Sequence, residues 1–323
     1  MERIVYYLVP DRRAEMKASL LNPELRSIFR FIPNPPVTTS VGRAVINGLL
    51  SRVKTPAQFD GVSFEVLRLA NGQPARVFTP PGGGNGAALL NIHGGGMVIG
   101  TASQDDFHMA EVARSLAIVV VSVEYRLAPR GPFPAALDDC FFAWNYLLES
   151  AVGLGVDPAR IAIGGQSAGG GLAAALVQRI HDAGGVQPVA QWLFCPMLDD
   201  RTAGRRELDV LKHRLWNNTS NRAGWMAYLG QEPGAVALPP YAAAARHTDL
   251  TGLPATWIGV GDIELFYDES RAYAEALRAA GVDSTLDIVP GAPHAFESVA
   301  AKTHLAINYK ARAHVWLKNQ LGA

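Results

Sequence analysis

Six short apolar runs, each bounded by glycine, proline or aspartate and alternating with stretches of helical periodicity, constrain this chain more than any other feature. The runs are Ala87–Ile92, Ile118–Val123, Arg160–Gly164, Val189–Phe194, Ala255–Val260 and Thr285–Val289. Helical patterns lie at Asp105–Leu116, Ala135–Leu148, Gly169–Asp182, Asp268–Ala280 and near Thr303–Leu321. Such alternation predicts an α/β fold, a mostly parallel central sheet flanked by helices on both faces. The wholly apolar segments Ala117–Val121 and Ile161–Ile163 suit strands covered on both sides. Ahead of them, Val62–Leu69 and Ala75–Thr79 flank the turn Asn71-Gly72 and read as a hairpin-like opening.

The rhythm stops once. From about Asp199 to Leu250 no strand pattern appears, and the stretch carries Trp216, Trp225 and Tyr228, with helical spacing around Ala223–Leu229. A long insertion inside an α/β core is more often a lid than a structureless loop. Residues 1–55 read as helical fragments broken by Pro10, Pro23, Pro33, Pro35 and Pro36, with helical spacing over Val41–Val53. The expected organisation is an N-terminal cap segment (1–55), a core (56–200 and 251–323) and a cap insertion (201–250).

Composition excludes several classes. Lys+Arg 29 against Asp+Glu 29 leaves no net field to favour polyanions, so no nucleic-acid partner is expected. The chain is 49% hydrophobic with no run long enough for a membrane span or a signal segment, so a soluble, cytoplasmic protein is expected. Two cysteines, Cys140 and Cys195, sit in apolar stretches and read as buried thiols. No phosphate loop, zinc-spaced cysteine pair or His-Glu-x-x-His occurs, and neither a cofactor nor a metal is implied.

Four loops could carry chemistry. Gly165-Gln166-Ser167-Ala168-Gly169 joins a strand to a helix, where a nucleophile at the tip of a tight turn needs neighbours without bulk. His93-Gly94-Gly95-Gly96 ends another strand, and its consecutive glycines leave backbone N–H groups bare, as an oxyanion hole requires. His294 lies in the Gly/Pro-containing turn Gly291–Phe296, a poor setting for a core residue and a good one for a general base. Gly261-Asp262-Ile263-Glu264 supplies a carboxylate at either of two positions. The chain order of serine, acid and histidine is the one this fold uses.

Together with Tyr125-Arg-Leu-Ala-Pro129, Phe133-Pro-Ala-Ala-Leu-Asp-Asp139, Gln166-Ser-Ala-Gly-Gly170, Glu264-Leu-Phe-Tyr-Asp-Glu269 and His294-Ala-Phe296, the chain resembles the bacterial hormone-sensitive-lipase-like carboxylesterases (family IV) of the α/β-hydrolase superfamily. The resemblance implies Ser167 as nucleophile and His294 as base, with the oxyanion held by N–H groups of the glycine run (Gly94, Gly95 and Gly96) and of Ala168. Counting back from Asp268-Glu269 in the family motif selects Glu264 over Asp262 as the acid, where most relatives carry Asp. Gln166 stands where relatives often have an acidic residue, and Arg130 where Glu is common. The expected activity is hydrolysis of short-chain carboxylic esters through an acyl-enzyme, on a small-molecule ester substrate. Aromatic residues Trp216, Trp225, Tyr228, Phe29 and Phe31 are expected to narrow the acyl pocket. The alternatives are an amidase or acyltransferase on the same triad, or a catalytically silent binding member of the fold. A homodimer through an edge strand is a further property known in relatives.

Overall fold

The computed structural model describes residues 19–52, 55 and 59–323; the fragments expected before residue 19 lie outside them. Eight strands form one sheet: β1 (Ser63–Arg68), β2 (Pro74–Thr79), β3 (Ala88–Ile92), β4 (Val119–Val123), β5 (Ile161–Gln166), β6 (Ala190–Phe194), β7 (Ala255–Gly261) and β8 (Ser284–Val289). Their order is β1-β2-β4-β3-β5-β6-β7-β8. The opening hairpin pairs antiparallel, β2 runs antiparallel to β4, and every later pairing is parallel.

The longer helices are α1 (Ser40–Leu50), α2 (Asp106–Leu116), α3 (Ala135–Glu149), α4 (Ala168–Ala183), α5 (Asn218–Leu229), α6 (Tyr267–Ala279) and α7 (His304–Leu321). One apolar layer joins α3, α4 and α6 to the sheet; the other joins α2, α7 and the segment around Leu21–Phe29. Covered on both sides, β3, β4 and β6 are buried at every position, which is why they read as apolar runs without alternation. Helix α5 begins five residues before its apolar spacing shows, because the Asn217 side chain accepts from the Ser220 N–H and caps it.

Strand order fixes where chemistry can sit. From β3 the chain crosses to β4 on one side, and the next strand, β5, returns to pair on the other. Loops leaving β3 and β5 therefore diverge and open a crevice at their carboxyl ends, the usual ligand position in such sheets. His93–Gly96 follows β3 and Ser167 follows β5; Glu264 and His294 follow β7 and β8 at the same end.

Candidate active site

Ser167 occupies the single position between β5 and α4, with φ 56° and ψ −120°. A positive φ in a non-glycine residue is strained and persists only where its surroundings hold it. Here the Ser167 N–H donates to Phe194 O at 2.8 Å, and its carbonyl accepts from Met197 N at 2.9 Å and Gly171 N at 3.0 Å. The turn also presses on β3: a Cβ at Gly169 would stand 2.0 Å from Ile92 O. Only glycine fits there, which accounts for the second glycine of the motif.

The imidazole of His294 bridges serine and carboxylate. Its Nε2 lies 2.9 Å from Ser167 Oγ and its Nδ1 2.5 Å from Glu264 Oε2. All three residues are buried. With Nδ1–H donating to the carboxylate, Nε2 is left to accept the serine proton. The ring is held further by Phe266, edge-on at 5.2 Å between centroids. Burial pushes the Glu264 carboxyl above its ordinary range; the charge and hydrogen bond of His294 and the Phe266 backbone pull it back down.

Asp262 takes a different place. Its Oδ1 accepts from Gly291 N at 2.7 Å and its own N–H donates to Val289 O at 3.2 Å. It ties the turn before His294 to the end of β7, and Glu264 alone of the two carboxylates meets the imidazole.

The glycine loop is braced through the carbonyls of Gly94 and Gly95. Gly95 O accepts from Val98 N and Ile99 N, and Gly94 O meets His93 Nδ1 at 2.8 Å and Gln104 Nε2 at 3.3 Å. Burial holds the His93 imidazole below its usual range, so it serves as a neutral donor, stacked on Tyr125 at 4.1 Å. Among the described residues, no acceptor is assigned to the N–H groups of Gly94, Gly95, Gly96 or Ala168. The loop also leans on α1: Asn47 accepts from Gly100 N at 3.1 Å and donates to Val98 O at 3.2 Å. No motif announced Asn47; apolar periodicity in that helix masked it.

The insertion covers this loop. Trp216 lays its ring on Gly96, and α5 brings Gly224 against the Gly96 carbonyl. Trp225 and Tyr228 are buried beside them in the same apolar layer, whereas Phe29 belongs to the core on the opposite face of the sheet and Phe31 is 77% exposed. Phe29 is therefore a core residue and Phe31 faces solvent, so neither narrows the pocket as expected; the segment they belong to reaches the turn before His294, where Asn22 N donates to Gly291 O at 2.8 Å. Both ends of the insertion are fastened. Buried Asp200 takes a two-pronged contact from Arg246, at 2.6 and 2.9 Å, and Gly234 N at 2.6 Å. Glu269 on α6 accepts from Leu198 N at 2.7 Å and pairs with Thr202 Oγ1. In the sequence Glu269 shows only as the fixed point from which Glu264 is counted.

Among the described residues no group of three His, Cys, Asp or Glu side chains is placed to hold a metal ion, and no helix is long and apolar enough to cross a membrane. Cys140 and Cys195 are both buried and unpaired.

A family model described as alpha/beta hydrolase fold matches residues 89–298. The chain is 34% identical over 260 residues to "Carboxylesterase NlhH" of Mycobacterium tuberculosis (strain CDC 1551 / Oshkosh), covering 77% of this chain and 79% of that protein. It is 33% identical over 233 residues to "Ethyl acetate hydrolase" of Pseudomonas putida, covering 69% and 71%. Among solved structures, "Bacterial Heroin Esterase" superposes with a TM-score of 0.86 at 36% identity, over 94% of this chain and 98% of that one.

Proposed function

The chain belongs to the hormone-sensitive-lipase-like carboxylesterases of the α/β-hydrolase superfamily, and from that premise we propose that it hydrolyses short-chain carboxylic esters with Ser167 as nucleophile, His294 as general base and Glu264 as the acid that orients it. The observation that carries the residue assignment is the unbroken line Glu264 Oε2, His294 Nδ1, His294 Nε2, Ser167 Oγ, at 2.5 and 2.9 Å.

In the first half-reaction Ser167 Oγ attacks the ester carbonyl while its proton passes to His294 Nε2. Glu264 stabilises the imidazolium and fixes its tautomer. Negative charge develops on the carbonyl oxygen, toward which the free amides of Gly94, Gly95, Gly96 and Ala168 supply donors; one such donor is worth about 3 kcal/mol. The imidazolium then protonates the leaving alcohol, and a water activated by the same base releases the acid.

The preference for short acyl groups is supported by Trp216 seated on Gly96 and by the relative whose name records ethyl acetate. In this reading residues 201–250 act as a cap over the crevice, and α1 is its N-terminal contribution, bracing the loop through Asn47. A homodimer along β8, whose outer side carries no further strand among the described residues, belongs to the same proposal and is tested by sedimentation.

The experiment is a p-nitrophenyl ester series from acetate to decanoate on wild type and Ser167→Ala. Highest kcat/KM at acetate or butyrate and a loss of roughly 10⁴-fold or more in the variant support the proposal. A maximum at decanoate overturns the short-chain preference, and an active Ser167→Ala overturns the nucleophile.

A further inference from the structure

The residue between the two motif positions Gly165 and Ser167 makes a contact that the reaction does not use directly. Gln166 ends β5 and sends its amide to the short helix Phe296–Val299 that follows His294. Its Nε2 lies 2.6 Å from Glu297 Oε1 and 2.7 Å from Ser298 Oγ. One NH₂ group carries two hydrogens, so both are spent on the histidine segment. Glu297 is 4% exposed, and hydrogen bonds from an amide to a buried carboxylate are among the stronger neutral-to-charged contacts.

The position of this contact gives it its meaning. Ser167 and His294 sit on separate loops, and the working distance between them, 2.9 Å, spans a single hydrogen bond. Asp262 fastens the histidine turn to the acid loop on one side. Gln166 fastens it to the nucleophile strand on the other. We propose that Gln166 is a positioning residue, which holds His294 in register with Ser167 by donating to Glu297 and Ser298, and that an acidic side chain at this place breaks that register whenever both carboxylates are ionised.

Glu297 is faced by several titratable groups. Asp105 and His108, at the start of α2, line with Glu297 and Gln166 a cavity of about 20 Å³ that Trp192 and Phe194 also wall. Cys195 after β6 and Tyr309 on α7 interact with it electrostatically, as do His294 and Glu264. Burial pushes the Glu297 carboxyl upward and the Gln166 amide pulls it back. Replacing that amide by a carboxylate of the same shape removes a donor and adds a like charge, so the pair can share one proton but cannot both ionise at low cost.

This inference rests on the triad assigned above, and the test separates the two. Wild-type turnover with loss in Ser167→Ala examines the triad; the pair Gln166→Glu and Gln166→Glu/Glu297→Gln examines the tether, with p-nitrophenyl acetate as probe. For Gln166→Glu, kcat at pH 8 is expected to fall at least tenfold with KM within threefold of wild type, and the deficit is expected to narrow toward pH 6. The double variant, which exchanges donor and acceptor without changing shape, is expected to return kcat at pH 8 to within threefold of wild type. A single variant within twofold of wild-type kcat at pH 8, or a double variant no better than the single one, overturns the proposal. If Gln166→Glu does not fold, Gln166→Met carries the test: a pH-independent loss in kcat of fivefold or more supports it, and kcat within twofold of wild type overturns it.

Discussion

Trp216 and Gly96 approach so closely that a methyl group on the glycine would overlap the indole, with Cβ 2.1 Å from Cη2 and 2.4 Å from Cζ2. Gly96 also holds φ +61°, which an L side chain adopts only under strain. Gly96→Ala is therefore expected to push the loop away from the serine and lower kcat for p-nitrophenyl acetate by roughly 10², the effect of losing one oxyanion donor. Adding Trp216→Ala removes the overlap but not the backbone strain, so the double variant is expected to recover only part of the loss. Steady-state kinetics on the three proteins decides it; a fully active Gly96→Ala contradicts the placement of this amide.

The two carboxylates after β7 make a sharper contrast. Glu264→Gln keeps the side-chain shape but no longer stabilises the Nδ1–H tautomer, and kcat is expected to fall by about 10⁴. Asp262→Asn keeps an oxygen acceptor for Gly291 N, and most activity is expected to survive. The reverse ranking in parallel kcat measurements would move the acid to Asp262.

Much of this was readable from the chain because local physics dictated it. The runs Ala87–Ile92 and Val189–Phe194 lie within one residue of β3 and β6, since strands buried on both faces leave an apolar imprint that needs no partner to be seen. Glycines 165 and 169 mark the serine turn for steric reasons alone. What stayed hidden depends on pairing between distant segments. Nothing in the period of β4 says that it lies between β2 and β3, and nothing in Asn47, Gln166 or Glu269 says which loop each will grip. Phe29 and Phe31 depart from expectation for the same reason: aromatic character alone says neither which face of the sheet receives a ring nor whether it is left in solvent.

Asp200 is fully buried and its charge is matched by Arg246, itself 17% exposed. Arg246→Ala leaves an uncompensated buried carboxylate, a change that costs about 3–5 kcal/mol in comparable pairs. A correspondingly lower urea midpoint is expected. Asp200→Asn/Arg246→Met, which removes both charges, is expected to be less destabilised than Arg246→Ala, and equal midpoints for the two would contradict the ion-pair account.

Asp105 supplies a pH signature. Burial raises its carboxyl from 3.8 to about 7, helped by the negative charges of Asp106, Glu297 and Glu124 and opposed by Asn91. A carboxyl whose folded pKa exceeds its unfolded one favours the folded state fully below the unfolded value and loses that contribution as pH rises through the folded value. Wild type is thus expected to lose stability relative to Asp105→Asn as pH climbs from 3.8 toward about 7. Thermal melts of both proteins across that window test it, and a constant difference in Tm would refute the shift.

The contact between Asp200 and Arg246 has a consequence for how such a chain can diversify. A segment whose two feet meet at one point imposes little on the scaffold beneath it, because doubling the length of a closed loop adds only about 0.6 kcal/mol of closure entropy. Grafts of unrelated sequence between those feet could therefore exchange one hood for another, retuning which acyl groups enter while the sheet and its serine stay as they are.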